Sequence, residues 1–237
     1  MEILTKGAAR LGLVLSEVQV KQFERYMELL LEWNEKINLT AITEKNEILV
    51  KHFLDSITLL LSDKLQQGAS LIDIGAGAGF PSVPVKIARP DLNVTMLDSL
   101  NKRVDFLNLV KNELQLTDIN AVHARAEDGA RTQLRESFDI ATARAVANLS
   151  VLAEYALPFV KAGGYFIAMK GTAPEEEINA AKPAIKLLGG QIEKVMEIPI
   201  PEGDLSHTLV IVKKTGQTPS KYPRKAGKPV KDPIKRA

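Results

Sequence analysis

Apolar positions in residues 1–62 recur with helical spacing. Phe23, Tyr26, Met27, Leu30 and Trp33 fall three or four residues apart, and Ser16 with Gln19 ahead of them has the Ser-x-x-Gln spacing of a capping box. A short helix precedes this one and ends before Leu13, Val14 and Leu15. A further helix is predicted over about residues 46–61, with Leu49, Phe53, Ile57 and Leu60 on one side. The aromatic stripe reads as packing surface, not as a cofactor box.

From residue 69 the pattern changes. Short apolar runs at 70–74, 93–98, 119–123, 138–142 and 165–169 alternate with helical stretches, notably 102–114 and 149–160. Such alternation predicts a parallel sheet with helices on both faces. A helix over about 174–188 contains Pro183, which is expected to kink or split it, and Gly189-Gly190 ends it. Two more strands, 191–198 and 208–212, follow without a long helix between them and are expected to pair antiparallel. The expected fold is therefore α/β, with a mostly parallel seven-stranded sheet. A helical extension (1–64) precedes the sheet domain (65–213), and a basic tail (214–237) follows it.

Composition changes this picture in two ways. The chain has 237 residues, 45% hydrophobic and 25% charged, enough for one sizeable core. It has no cysteine, and His52, His123 and His207 lie far apart, so no metal site is expected. No run of about 18 apolar residues occurs, and the opening Met1-Glu2-Ile3-Leu4-Thr5-Lys6 does not read as a secretion signal. A cytoplasmic monomer is expected, with no membrane partner. The second point is charge. Residues 213–237 hold nine of the 31 lysines and arginines and one of the 29 acids, so the end carries +8 and the remainder −6. Rich in lysine and proline, the tail is expected to be extended or disordered. It reads either as a polyanion-binding arm or as a solubilising end.

The segment with most chemical content is Asp73-Ile74-Gly75-Ala76-Gly77-Ala78-Gly79-Phe80-Pro81, between a strand and a helix. Glycines let the backbone turn tightly and approach a ligand. A dinucleotide fingerprint needs a third glycine where Phe80 stands, and a triphosphate loop needs Gly-Lys-Ser/Thr, which is absent. Asp98 closes the second strand, 19 residues after Gly79. A doubly wound sheet brings such a carboxylate beside the glycine turn, where it accepts hydrogen bonds from ribose hydroxyls. A glycine turn without a phosphate clamp, with a ribose-binding acid, suits S-adenosylmethionine. The alternative for Asp98 is a helix N-cap.

The chain also resembles the glucose-inhibited division protein B family, bacterial 16S ribosomal RNA methyltransferases that modify guanine N7. The matching blocks are Trp33 to Thr40, His52 to Ile57, the glycine loop through Pro81, Leu97-Asp98-Ser99 with Lys102-Arg103, Arg125-Ala126-Glu127, Ala143-Arg144-Ala145 and Met169-Lys170-Gly171. They occur in family order across residues 20–212. The resemblance implies the class I S-adenosylmethionine-dependent methyltransferase fold, Rossmann-like. It also implies a cofactor site at Asp73, Gly75, Gly77, Gly79, Phe80, Asp98, Ser99, Ala126, Glu127 and Arg144, with 16S ribosomal RNA or the small subunit as partner. Arg144 would hold the methionine carboxylate or a substrate phosphate, or else pair with Asp139 or Glu154. Arg144, Asn148 and Lys170 are the substrate-side candidates. His52, Asp55 and Ser56 share a helical face and read as a lock between helical cap and sheet.

Guanine N7 has a free lone pair and no proton to lose, so direct in-line displacement needs no general base. The alternatives are a methyltransferase acting on a protein or small molecule, and a non-catalytic ribosome or cell-division accessory. Removal of residues 214–237 is expected to weaken RNA binding and leave cofactor affinity unchanged.

Overall fold

The computed structural model describes residues 1–144, 146–171 and 175–235. Ala145 of the Ala-Arg-Ala block, Pro174 at the predicted start of a helix and Arg236 of the basic end lie outside the described residues. Helix α1 spans Glu2–Arg10 and α2 spans Glu17–Ile37. The capping box at the start of α2 is complete: Gln19 N–H donates to Ser16 Oγ at 3.3 Å, and Ser16 N–H to Gln19 Oε1 at 2.8 Å.

The helix predicted over 46–61 is built of unlike turns. It runs from α3 (Lys45–Ile48) through a π-helical turn (Leu49–Leu54) and α4 (Asp55–Ile57) into a 3₁₀ turn (Thr58–Ser62). The change of helical pitch alters the buried face: Leu49, Phe53 and Ile57 are buried as expected, but Leu59 replaces Leu60 at the last turn. A π turn inside a helix is rare and concentrates at functional sites. This one carries His52.

The sheet follows. Its elements are β1 (Ser70–Ile74), α5 (Ser82–Ala88), β2 (Asn93–Asp98), α6 (Asn101–Glu113), β3 (Ile119–His123), α7 (Ala126–Gly129), β4 (Phe138–Arg144), α8 (Leu149–Ala156), β5 (Val160–Lys170), α9 (Glu175–Leu187), β6 (Gly190–Pro199) and β7 (Ser206–Lys214). Strand order is β3-β2-β1-β4-β5-β7-β6. The first five strands are parallel, and β7 runs antiparallel between β5 and β6. Because β1 pairs with β2 on one side and β4 on the other, strand order reverses at β1. In open α/β sheets such a reversal opens a crevice at the carboxyl ends of the strands.

Alternation along each strand assigns its side chains to two cores. Leu71, Met96, Ile140, Ile167 and Ile211 meet the N-terminal helices, α5 and α6. Ile72, Leu97, Ala141, Phe166 and Val212 meet α8, α9 and the chain end. The N-terminal helices are thus packed on one sheet face. Gln19 ties α2 to α5 by donating to the Ile87 carbonyl at 2.7 Å.

Two expectations are corrected. Of the two outcomes expected at Pro183, the split does not occur: α9 is one helix through it, with Ile178, Ala181, Ala184 and Ile185 buried. Nor are residues 214–235 an extended arm. Lys214 is fully buried and bonded to Glu136, Tyr222 and Ile234 sit in the second core, and Arg224 pairs with Glu154. A short helix, α10 (Lys228–Lys231), forms within this segment. Composition concealed two things: four apolar pegs (Tyr222, Pro223, Pro229, Ile234) and buried acids in the body that the segment's donors satisfy. Among the described residues, no helix is long and apolar enough to cross a membrane.

Candidate functional site

The glycine loop lies at the carboxyl end of β1, against the end of β2. Gly75 and Ala76 both donate to the Leu97 carbonyl, at 2.8 and 3.0 Å. Gly75 and Gly77 have φ of +71° and +60°, where side chains are strained. Gly79 has φ +99°, and a Cβ there would stand 2.6 Å from Val83 and 2.9 Å from the Tyr26 hydroxyl. Tyr26 in α2 reaches over to donate to the Ala78 carbonyl at 2.5 Å. The helical extension therefore grips the loop from outside.

Asp98 is 2% exposed. Its Oδ2 accepts from Gly77 N–H at 2.8 Å and its Oδ1 from Leu100 N–H at 2.9 Å. The Arg103 guanidinium lies 3.6 Å away. Asp98 does not cap α6, whose N-cap is Leu100. It holds the loop and lines the crevice.

Two cavities share Gly75, Asp98, Ser99 and Val146. The first, about 220 Å³, is also lined by Ala126, Glu127, Tyr155, Gly227 and Val230. The second, about 380 Å³, is bordered by Thr40, His52, Gly77, Phe80, Arg103 and Arg144. Together they form one crevice across the carboxyl ends of β1, β2 and β4. On the far side of Arg144 a third hollow of about 220 Å³ is lined by Asp55, Lys170 and His207.

The remaining predicted residues distribute as follows. Asp73 is fully buried under the loop and lines neither crevice cavity; Ser82 N–H donates to its Oδ2 at 3.3 Å, while Oδ1 has no partner. Burial pushes the Asp73 carboxyl up to about 7. Gly79 packs beneath the loop. Glu127 is 5% exposed and accepts from Gly227 N–H at 3.0 Å. Burial, with the Glu127 charge next in effect, pushes the Tyr155 hydroxyl up to about 12. Asn148 lines none of these cavities; its side chain caps α8 by accepting from Val151 N–H at 3.1 Å. Lys170 pairs with Glu177 at 2.8 Å and donates to the Ala147 carbonyl at 3.0 Å.

Arg144 pairs with neither Asp139 nor Glu154. Its Nη1 meets Asp55 Oδ2 at 2.5 Å, its Nη2 approaches His52 Nδ1 at 3.3 Å, and the guanidinium lies 4.9 Å from the Phe80 ring centre. His52 stacks on Phe80, centroids 4.5 Å apart, and bonds Thr40 at 2.7 Å. Burial, reinforced by Arg144, lowers the His52 imidazole to about 4, so it is neutral near pH 7. Ser56 is buried and its hydroxyl donates to the backbone carbonyl of His52, a bond within the helical segment. Val146, Tyr155, Gly227, Val230 and Thr40 escaped sequence reasoning. Val146, apolar yet 39% exposed, borders both cavities.

These features fit S-adenosylmethionine. Two glycines of positive φ, Gly75 and Gly77, bring the backbone to the edge of the crevice, and the buried carboxylate of Asp98 borders it without a phosphate clamp.

Comparison with known proteins agrees. Residues 19–204 match the family model of rRNA small subunit methyltransferase G. A Clostridium botulinum (strain Eklund 17B / Type B) protein named ribosomal RNA small subunit methyltransferase G is 55% identical over 235 residues, covering 99% of this chain and 98% of that one. One of the same name from Clostridium beijerinckii is 54% identical over 235 residues, with the same coverages. Among solved structures, the precorrin-6y C5,15-methyltransferase of Geobacter metallireducens superposes with a TM-score of 0.51 at 17% identity, covering 66% of this chain and 86% of its own; it shares the fold. The chain therefore belongs to the rRNA small subunit methyltransferase G family, and it is an enzyme whose methyl donor is S-adenosylmethionine.

Proposed function

We propose that this enzyme methylates guanine N7 in 16S ribosomal RNA of the small ribosomal subunit. The observation that carries the reading is Asp98, a buried carboxylate at the junction of two cavities, bonded to the glycine turn it faces. Family membership supports ribosomal RNA as the substrate class.

Gly75, Asp98, Ser99, Ala126 and Glu127 would hold the nucleoside end of the cofactor, and Gly77, Phe80 and Arg144 border the other end. The bound cofactor supplies a sulfonium methyl that a nucleophile displaces in line. For guanine N7 the chain has no proton to remove, so its task is alignment and exclusion of water. His52 suits this: it is stacked and hydrogen-bonded, and its imidazole, lowered to about 4, is a weak base that serves as a wall. Arg144 is held rigidly by Asp55 at the rim and presents positive charge to a carboxylate or a phosphate. Arg103 and Arg125 add positive charge around the crevice.

In an A-form duplex N7 lies in a deep, narrow groove that side chains do not enter. The target is accordingly an unpaired or flipped-out guanine. An assay with methyl-labelled cofactor, offering small subunits, naked 16S RNA and bacterial protein extract side by side, tests the reading. Label in RNA as 7-methylguanine supports it; label in protein, or in RNA at another atom, refutes it.

A further inference from the structure

The chain end, distant in sequence, reaches the nucleoside cavity. Gly227 and Val230 line it beside Ala126, Glu127 and Tyr155. The segment is fastened on both sides of Gly227. Upstream, Arg224 donates through Nη2 to Glu154 Oε2 at 2.6 Å and through Nε to Oε1 at 2.9 Å, on a carboxylate 1% exposed. Arg131 and Arg135 hold the carbonyls of Pro223 and Tyr222 at 2.5 and 2.9 Å. Downstream, Ile234 is sunk in the second core. At the centre, Gly227 N–H donates to Glu127 Oε1.

We propose that residues 224–231 are a strap belonging to the cofactor site, with Gly227 and Val230 forming the outer wall of the nucleoside pocket. The inference rests on the cofactor reading above. Glu127 is the link: one carboxylate faces the cavity and takes the strap's amide. Val230 is 60% exposed, an apolar side chain left in solvent at the mouth of a cavity, which a flat aromatic base would cover. The strap's outer side bears Lys225, Lys228 and Lys231, all exposed. One segment thus faces the nucleoside with its apolar side and solvent with its cations. Binding the nucleoside and ordering the strap are then reciprocal. This geometry runs against the expectation that removing the basic end leaves cofactor affinity untouched.

The test is calorimetry with S-adenosylhomocysteine on the full chain and on three variants. Val230→Glu alters an exposed side chain, so its melting temperature without ligand should match the parent's; its affinity should fall about tenfold. Val230→Asp, a second change at the same exposed position, should fall by a similar factor. Asp98→Ala should lose binding altogether. In parallel, trypsin cleavage after Lys225 and Lys231 in the parent should slow severalfold when S-adenosylhomocysteine is present. Parental affinity in Val230→Glu, with cleavage indifferent to the ligand, overturns the strap while leaving the cofactor reading standing if Asp98→Ala has lost binding. A parent chain that binds no S-adenosylhomocysteine overturns both.

Discussion

Arg144 and Asp55 form an ion pair of 2.5 Å between the end of β4 and the N-terminal helical segment, their side chains only 15% and 11% exposed. The second Asp55 oxygen meets His207 Nδ1 at 2.5 Å, at the start of β7, and His207 Nε2 lies 3.0 Å from Thr58 Oγ1. One carboxylate thus closes the cap onto two strands. Burial opposes ionisation of Asp55, but the bond to His207 and the Arg144 charge outweigh it and hold the group below the usual carboxylate range.

Asp55→Ala would leave Arg144 buried without its partner, at a cost of about 3–5 kcal/mol. Asp55→Asn, which keeps the shape and one acceptor, should cost less. Urea denaturation measures both. Because Arg144 and His52 border the crevice, methyl transfer should also fall in Asp55→Asn under conditions where the variant remains folded.

The two glycines separate backbone strain from crowding. Gly77→Ala meets nothing closer than 3.9 Å and suffers only its positive φ, about 1–2 kcal/mol. Gly79→Ala adds a clash with Val83 and Tyr26 to the same strain and should be the less stable of the two by thermal melting. Gly77→Ala should nonetheless bind S-adenosylhomocysteine more weakly than the parent, since Gly77 lines the crevice and donates to Asp98.

Tyr26→Phe removes the hydroxyl that satisfies the Ala78 carbonyl from across the cap. The expected loss is about 1–3 kcal/mol, with faster amide exchange across residues 76–80.

Asp73 and His52 respond to pH in opposite senses. The folded Asp73 carboxyl titrates near 7, above its unfolded value of 3.8, so its contribution to stability is full below the unfolded value and lost as pH rises toward 7. His52 titrates near 4 when folded against 6.5 unfolded, so its contribution is full above 6.5 and lost as pH falls toward 4. Between about pH 4 and 6.5 the two slopes oppose each other. Asp73→Asn should therefore gain on the parent as pH rises from 4 to 7, by at most about 1.4 kcal/mol per pH unit. Melting temperature measured across that range reads the difference, and a constant offset would contradict the assignment.

Local pattern made much of the fold legible. The capping box, the helical stripe of α2 and the apolar runs of the strands are properties of neighbouring residues, and the sequence carries them directly. Asp98 was legible because a doubly wound sheet brings the second strand's end to the first loop. His207 was not: its partner, Asp55, is 152 residues away. Asn148 caps α8, a role its sequence context did not distinguish from that of a substrate ligand. The chain end was misread because lysine and proline dominate its composition, although Tyr222, Ile234 and Arg224 determine its place. The strap wall at Gly227 and Val230 depends on that return of the chain, which no local pattern encodes.

The most direct test of the account is the chemical identity and location of the methyl group. Small-subunit RNA should be compared from cells lacking the gene, cells restored with the parent gene, and cells restored with an Asp98→Ala version. The expected result is one 7-methylguanine in 16S RNA that is present only with the parent gene. An RNA methylation pattern indifferent to the gene, a methyl on another atom, or full modification by Asp98→Ala would contradict it.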